Sequence, residues 1–414
     1  MNAVLYVLPV FLLLIVAELV ASKLIKRQVY RLNDAITSIS IGYISEFIRG
    51  LVKLVTFGIY AILETKVGQI DFQNTDPLAW ILAFILYDFF YYWMHRAGHE
   101  INLLWGAHSV HHSSEYFNMS TAMRQSATTV FYNWIFYLPM AVLGIPWFVF
   151  VVTSFASLFY QYWVHTELIP KMGWFDRVFV SPSNHRVHHG QNSYCIDKNY
   201  GATLILWDRL FGTYAEEQDQ EPVIYGIRSK VKSWNPVWAN LFVFNKVFSS
   251  FAETKGWKNK LMRLFGPPGW EPETGAVVKT QFEPTEFQKY DTQTSPAQSF
   301  YTWVSYLSLS VFFYHFLTIA YSMPVWPRIA YGCLIGLQAF CIGGVLENKR
   351  LIRNLDIFRG ISVFCALIAN WWFSEVSMSG LVLAITGMII FIIAHVYLYK
   401  EERQTRDSTV EIPA

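Results

Sequence analysis

The sequence predicts an all-α protein, a polytopic helix bundle embedded in a membrane. Three observations predict it. Of 414 residues, 53% are hydrophobic and 18% aromatic, with a mean hydropathy of +0.28, above what a soluble domain carries. The apolar residues gather into runs close to the ~20 residues that cross a bilayer as helix. Between those runs, histidines recur at i, i+3 and i+4, a helical spacing. The net charge of +2 leaves no basic patch of the size a nucleic-acid partner needs. Cys195, Cys333, Cys341 and Cys365 stand apart without a C-x-x-C, so no disulfide framework is implied.

The first apolar run covers about residues 4–22. It is too long for a signal peptide and lacks the basic leader and cleavage site, so it is expected to be a retained anchor. A second run, 36–63, is interrupted by Glu46, Arg49 and Lys53, and a third spans 78–94. Residues 130–164 are apolar again, with a break at Gly144 to Pro146 that predicts a helical hairpin entering and leaving from one side. From Pro170 to about Ser299 the chain is mixed and polar, ending near the turn-rich "GPPGWEPETG", and is expected outside the bilayer. Four further runs follow at 301–321, 327–346, 357–374 and 379–399. The expected regions are therefore N-terminal transmembrane helices (1–94), a histidine-rich region with the membrane hairpin (95–299), a C-terminal four-helix membrane region (300–400) and a polar tail (401–414).

Loop charge sets the expected orientation, because short cytoplasmic loops collect Lys and Arg. Lys23, Lys26, Arg27 and Arg31 follow the first run, which places that loop inside. Counting crossings then puts His95, "ENKRLIRN" (347–354) and "KEER" (400–403) on the same side, while the outer loops carry only Lys66. The membrane is the endoplasmic reticulum or a bacterial inner membrane. Oligomeric state leaves no mark in the sequence.

Nine of the eleven histidines lie between residues 95 and 189, where an even spread gives about 2.5. His95 and His99 are i, i+4. His108, His111 and His112 are i, i+3, i+4, and His185, His188 and His189 repeat that triplet. Each set shares one helical face. One such motif alone is often a solvated face or a capped helix end, but three of them on one expected side of the membrane point to a shared centre. His165 ends the hairpin, where an interfacial residue is the ordinary alternative; the hairpin returns it toward the cluster. His315 and His395, in later apolar runs, are read as packing or interhelical hydrogen-bonding residues.

Neutral imidazole is the commonest metal ligand, and eight or nine nitrogens exceed what one zinc takes up. The count predicts a histidine-rich helical cap, facing the cytoplasm, that holds a dimetal site. The donor set leaves iron, copper, nickel and zinc open. Iron is favoured because a paired site with open positions at a membrane surface suits activation of dioxygen against an unactivated C–H bond.

Asp88, Tyr92, His95 and His99 follow one another at four, three and four along a helical stripe. A buried acid there is costly, so Asp88 is expected to accept the far N–H of His95 and fix its tautomer. The alternative is a hydrogen bond to a neighbouring helix. Asn199 and Asp208 are expected to anchor the loop after the last triplet, or to serve as ordinary turn and cap residues. The hairpin and third run are expected to form an apolar tunnel for a long chain, with the polar head beside the histidines.

The stretches "HRAGHE", "HSVHHSSEYFNMSTAMRQS", "QYWVHTE", "SPSNHRVHHGQNSYCIDKNYG" and "WDRLFGTY" resemble the fatty acid hydroxylase and sterol desaturase superfamily, and within it the alkylglycerol monooxygenase branch. The resemblance extends from about Arg31 to Tyr214 and is only general in the C-terminal helices. It implies a di-iron, tetrahydrobiopterin-dependent membrane monooxygenase with dioxygen as co-substrate and an alkylglycerol lipid as substrate. Hydroxylation next to the ether oxygen gives an unstable hemiacetal that falls apart to fatty aldehyde and glycerol species. The implied ligands are His95, His99, His108, His111, His112, His185, His188 and His189, with His165 as the additional one. Glu100 extends H-x3-H to H-x3-H-E, as in the alkylglycerol branch, where the acid is linked to the pterin. About 100° around the helix from His99, it is suited to a guanidine-like edge rather than to the metal, or else it is a charge on a solvated face. Two alternatives stand beside this reading: a sterol or fatty-acyl hydroxylase or desaturase with the same centre, and a non-catalytic metal carrier. A carrier places ionisable ligands along a path within the spans, unlike this pattern.

Overall fold

A computed structural model describes residues 3–278, 281–349, 352–374, 385–398 and 400–401. Among them the protein is all-helical, with only isolated bridges such as Phe179 to Leu204 and Gly190 to Tyr225. Among the described residues, four helices are long and apolar enough to cross a membrane: Val4–Leu24, Pro77–Glu100, Pro296–Ile319 and Val325–Leu346. The chain divides into two compact units. One comprises residues 12–232 and 238–289; the other comprises 1–11, 233–237 and 290–414.

The larger unit takes in most of α1 (Ala3–Leu24), then α2 (Leu32–Val67) and α3 (Pro77–Glu100). At 36 residues α2 is about 54 Å long, well beyond a bilayer core. Its N-terminal half is polar and buried. Asp34 and Ser38 there receive Arg124, whose Nε also donates to the Val110 carbonyl and Ser113, so α2 holds in place the C-terminal end of the histidine-bearing helix Asn102–His112. Expected as a crossing, α2 carries Glu46, Arg49 and Lys53 in mid-helix and is not among the four apolar spans. The helix Ile352–Ser374, which carries Asp356 and Arg359 in its first turns, is likewise not among them.

After α3 the chain turns at Ile101 into α4 (Asn102–His112), then α5 (Met119–Ala122), which Asn118 and Thr121 close with a reciprocal capping box. The hairpin has unequal arms. The first is short, with 3₁₀ turns and then α6 (Leu138–Leu143); the second is the regular helix α7 (Trp147–Trp163). Gly144 between them sits at φ +99°, and a Cβ there falls 1.9 Å from the Ile70 carbonyl oxygen, so the turn admits only glycine. Gln69 and Ile70 donate to the carbonyls of Val142 and Leu143. The hairpin tip therefore reaches the loop joining α2 to α3, at the end of α3 remote from the histidines. Tyr87 stacks on Tyr137 at 4.6 Å and Tyr60 on Phe150 at 4.3 Å, around Met140, Ala141, Ile145 and Val149. The expected tunnel between hairpin and α3 is thus packed core over this stretch, because aromatic faces this close fill the space a lipid chain needs.

The polar segment forms α8 (Pro182–His189), α9 (Leu206–Leu210), α10 (Pro236–Glu253) and α11 (Trp257–Phe265). The Ser181/Asn184 capping box with Pro182 in the first turn starts α8. Gly190 ends it; a Cβ there would lie 2.6 Å from Cys195 Sγ and 2.8 Å from Val223.

The smaller unit contains α12 (Pro296–Ile319), α13 (Val325–Leu346), α14 (Ile352–Ser374) and a last helix, Ile385–Leu398. Part of the expected run 379–399 lies outside the described residues. Phe312 stacks on Tyr331 at 4.8 Å, joining α12 to α13. Buried Arg359 approaches Asp356 at 2.7 Å, and His395 comes within 3.9 Å of the same carboxylate. His315 lies 6.3 Å from the Tyr331 ring, within the packing.

Candidate metal centre

Three helices and one helix end deliver nine imidazoles. His95 and His99 leave the last turns of α3; His108, His111 and His112 come from α4, His165 from just after α7, and His185, His188 and His189 from α8. They fall into two groups. In the first, His95, His99, His108, His112 and His188 bring ligand nitrogens within 4.8 Å of one another; His111, His165, His185 and His189 do so in the second. The rings of His112 and His189 stack at 4.3 Å, so the groups adjoin.

Within each group the Nε2 atoms form a chain of close approaches. In the first they run His95 to His108 at 2.9 Å, His108 to His112 at 3.0 Å and His112 to His99 at 3.2 Å. In the second they run His111 to His165 at 3.2 Å, His165 to His185 at 2.9 Å and His185 to His189 at 3.2 Å. Ligands ~2.0–2.1 Å from one cation stand about 2.9 Å apart on an octahedral edge and about 3.4 Å on a tetrahedral one. The observed spacings fall in that range.

The outward nitrogens fix the tautomers. His95 Nδ1 donates to the Tyr200 carbonyl at 2.8 Å, His165 Nδ1 to Gln161 at 2.8 Å and His188 Nδ1 to Lys198 at 2.9 Å. His111 Nδ1 reaches the Arg124 carbonyl at 3.2 Å, with the Gln125 amide farther off at 3.5 Å. A carbonyl only accepts, so these rings carry the proton on Nδ1 and a lone pair on Nε2. His111 and His165 then face each other lone pair to lone pair, a contact that only a cation or added proton makes favourable. His188 Nε2 is buried with no hydrogen-bond partner. Burial resists the proton: it pushes His165 down to about 4 and holds His108, His111, His112, His185, His188 and His189 well below the usual histidine range, with neighbouring imidazoles adding to the effect. The donor set thus fits a pair of imidazole-loving cations.

Asp88 requires a correction. It does not accept from His95, whose Nδ1 goes to Tyr200. Asp88 takes the backbone N–H of Thr203 at 2.8 Å, that of Leu204 at 3.0 Å and the Trp207 indole at 3.0 Å. Three fixed donors satisfy a buried carboxylate better than one imidazole, and they tether the segment whose Tyr200 carbonyl orients His95. Asp208 completes that tether by accepting from the amides of Tyr200 and Gly201 and from Thr213. Asn199, at φ +57°, donates to the carbonyls of Asn184 and Ala215 and so ties the loop to α8. Glu100 is ion-paired with Arg96 at 2.9 Å and half exposed. With His99, His112 and His188 it lines a cavity of about 860 Å³ that also contains Trp105 and Arg228.

Several supporting residues carried no signal in the sequence. Tyr200 packs its ring against His95, His99 and His188; Phe117 stacks on His165 at 5.6 Å. Arg186, on the outer side of α8, grips Glu217 through two nitrogens and the carbonyls of Thr166 and Ile169.

The fatty acid hydroxylase family profile matches residues 80–213, the stretch that holds all nine of these histidines. The chain is 39% identical over 365 residues to the alkylglycerol monooxygenase of Danio rerio, covering 87% of this chain and 80% of that protein. It is 34% identical over 355 residues to the human alkylglycerol monooxygenase, covering 85% and 79%. The ornithine lipid hydroxylase OlsE of Rhizobium tropici is 30% identical over 158 residues, 37% of this chain and 48% of that protein. No solved structure matches. With that extent of identity over most of both chains, this chain belongs to the alkylglycerol monooxygenase family.

Proposed function

We propose that this protein is a multi-pass membrane monooxygenase that hydroxylates the ether-adjacent carbon of alkylglycerol lipids, using dioxygen and reduced tetrahydrobiopterin. The observation that carries it is the pair of adjoining imidazole cages, in the second of which the Nε2 lone pairs of His111 and His165 face each other and call for a cation between them. In this reading His95, His99, His108, His112 and His188 hold one iron, and His111, His165, His185 and His189 the other. When bound, a reduced iron pair supplies the activation of dioxygen that side chains lack. One oxygen atom enters the C–H bond, the other leaves as water, and the pterin provides the two electrons. The hemiacetal then collapses to fatty aldehyde and glycerol species.

The chain's own part is positioning and exclusion of water. Buried imidazoles stay neutral and available as ligands, carbonyls of Tyr200, Lys198, Gln161 and Arg124 fix their rings, and Asp88, Asp208 and Asn199 hold the loop that supplies two of those carbonyls. Glu100 faces the cavity beside the first group and is placed to bond the guanidine-like edge of the pterin, with Arg96 holding its other side. Loop charge supports a site facing the cytoplasm.

The test is direct. Protein purified into lipid nanodiscs with a long-chain alkylglycerol, air and reduced pterin is expected to release fatty aldehyde, and to release none without pterin. Failure of that assay alongside turnover of a sterol or fatty acid would move the proposal to the other branch of the superfamily.

A further inference from the structure

Helix α11 reads "WKNKLMRLF" and leaves its largest apolar side chains uncovered. Trp257 is 75% exposed, Leu261 50% and Phe265 59%. At 3.6 residues per turn these three project within an arc of about 80°. Lys258 borders that arc on one side, Lys260 on the other, and Lys255 just precedes the helix. The rest of the helix is fastened down: Arg263, on the far side, pairs with Glu271 at 2.8 Å, and Leu264, flanking the arc beside Trp257, packs on the cluster of Ile227, Val243 and Val247. A helix this short does not keep a tryptophan, a leucine and a phenylalanine in water without a partner.

Its height in the fold says what that partner is. Asn102, two residues beyond the end of the apolar span Pro77–Glu100, donates its backbone N–H to Gly266 at 2.9 Å and its side chain to the Arg263 carbonyl at 2.7 Å. The C-terminal end of α11 is therefore pinned where α3 leaves the membrane. A basic amphipathic helix at that level meets the headgroup layer, with apolar side chains toward the acyl boundary and lysines toward anionic lipid. The residues that follow, Pro267, Pro268 and Gly269, line the cavity beside His99, His112 and His188.

We infer that α11 is an interfacial helix docked on the anionic leaflet of the protein's own bilayer, and that it holds the cavity mouth against that leaflet so that a lipid headgroup passes from membrane to histidines without crossing water. The second half of this inference rests on the lipid-oxidising function proposed above; the first does not.

The experiment separates them. In nanodiscs containing phosphatidylglycerol, the difference in emission between wild type and Trp257→Phe isolates Trp257. Phosphatidylcholine brominated near the head of its acyl chains is expected to quench most of that difference, and aqueous iodide little of it. Quenching by iodide instead, or by neither agent because another part of the protein covers the ring, would overturn the docking. Leu261→Glu is then expected to raise KM for alkylglycerol supplied in the bilayer while kcat and iron content stay at wild-type values. An unchanged KM with Trp257 quenched by the bromolipid would overturn the portal alone, and a loss of iron would show α11 to be merely structural.

Discussion

Acid is expected to open the histidine cap before it disturbs the rest of the metal-free protein, and His165 sets the scale. Its ring is buried, its Nδ1 is committed to the Gln161 carbonyl, and burial lowers its pKa to about 4. In the unfolded chain the same group titrates near 6.5. At pH 7 neither state takes up the proton, and the site is at full stability. As pH falls below about 6.5 the unfolded state binds a proton that the folded state refuses until about 4, so stability is lost on acidification across that window. The difference of about 2.5 in pKa amounts to about 3.4 kcal/mol in full, of which about 2 kcal/mol is lost by pH 5. His108, His111, His112, His185, His188 and His189 are pushed the same way by burial, so the loss grows around the cluster. Hydrogen exchange reads this in metal-free protein in nanodiscs, once intrinsic exchange rates are corrected for pH. Protection at the His165 amide, bonded to the Tyr162 carbonyl at 3.3 Å, is expected to fall about thirtyfold or more between pH 7 and pH 5. His165→Gln should make that dependence shallower without abolishing it, because the other buried imidazoles still refuse the proton. Protection that stays constant, or rises toward pH 5, would refute the reasoning.

Three further outcomes follow from particular contacts. His188→Ala removes the unpartnered Nε2 of the first group and is expected to lower iron content, whereas Glu100→Ala keeps iron and loses pterin-dependent turnover; equal iron loss in both, by elemental analysis, would show the division of roles to be wrong. Asp88→Asn replaces one acceptor oxygen by a donor facing an N–H, so at least one charge-assisted hydrogen bond goes, costing about 2–3 kcal/mol in thermal unfolding and weakening iron binding about tenfold through Tyr200 and His95. Gly190→Ala forces a Cβ to 2.6 Å from Cys195 Sγ and is expected to destabilise by about 1–3 kcal/mol, with Cys195→Ala in the same chain recovering part of the loss in melting temperature.

The helical faces of the site were legible in the sequence because an i, i+3, i+4 spacing states a geometry without any knowledge of the rest of the fold. His95 and His99 share a face by their numbers alone. That the faces converge followed from their count. What the spacing does not carry is the identity of long-range partners, above all backbone ones. The carbonyls that orient His95, His111 and His188 belong to Tyr200, Arg124 and Lys198, and a carbonyl looks the same in every residue. Asp88 shows the consequence: its place on the stripe pointed to His95, about two turns along the same helix, while its actual donors arrive from 115 to 119 residues away. The division of nine ligands into five and four was equally hidden, since α4 splits its triplet, His108 and His112 going to one group and His111 to the other. Hairpin and α3 were both visible as apolar runs, yet whether facing aromatics leave a channel or stack depends on their depth relative to one another, which hydropathy does not encode.

The account stands most directly on the metal count. Protein produced with ample iron is expected to contain two iron ions per chain by elemental analysis, one for each of the two adjoining imidazole cages. One ion per chain at saturation, or zinc in place of iron, would contradict it.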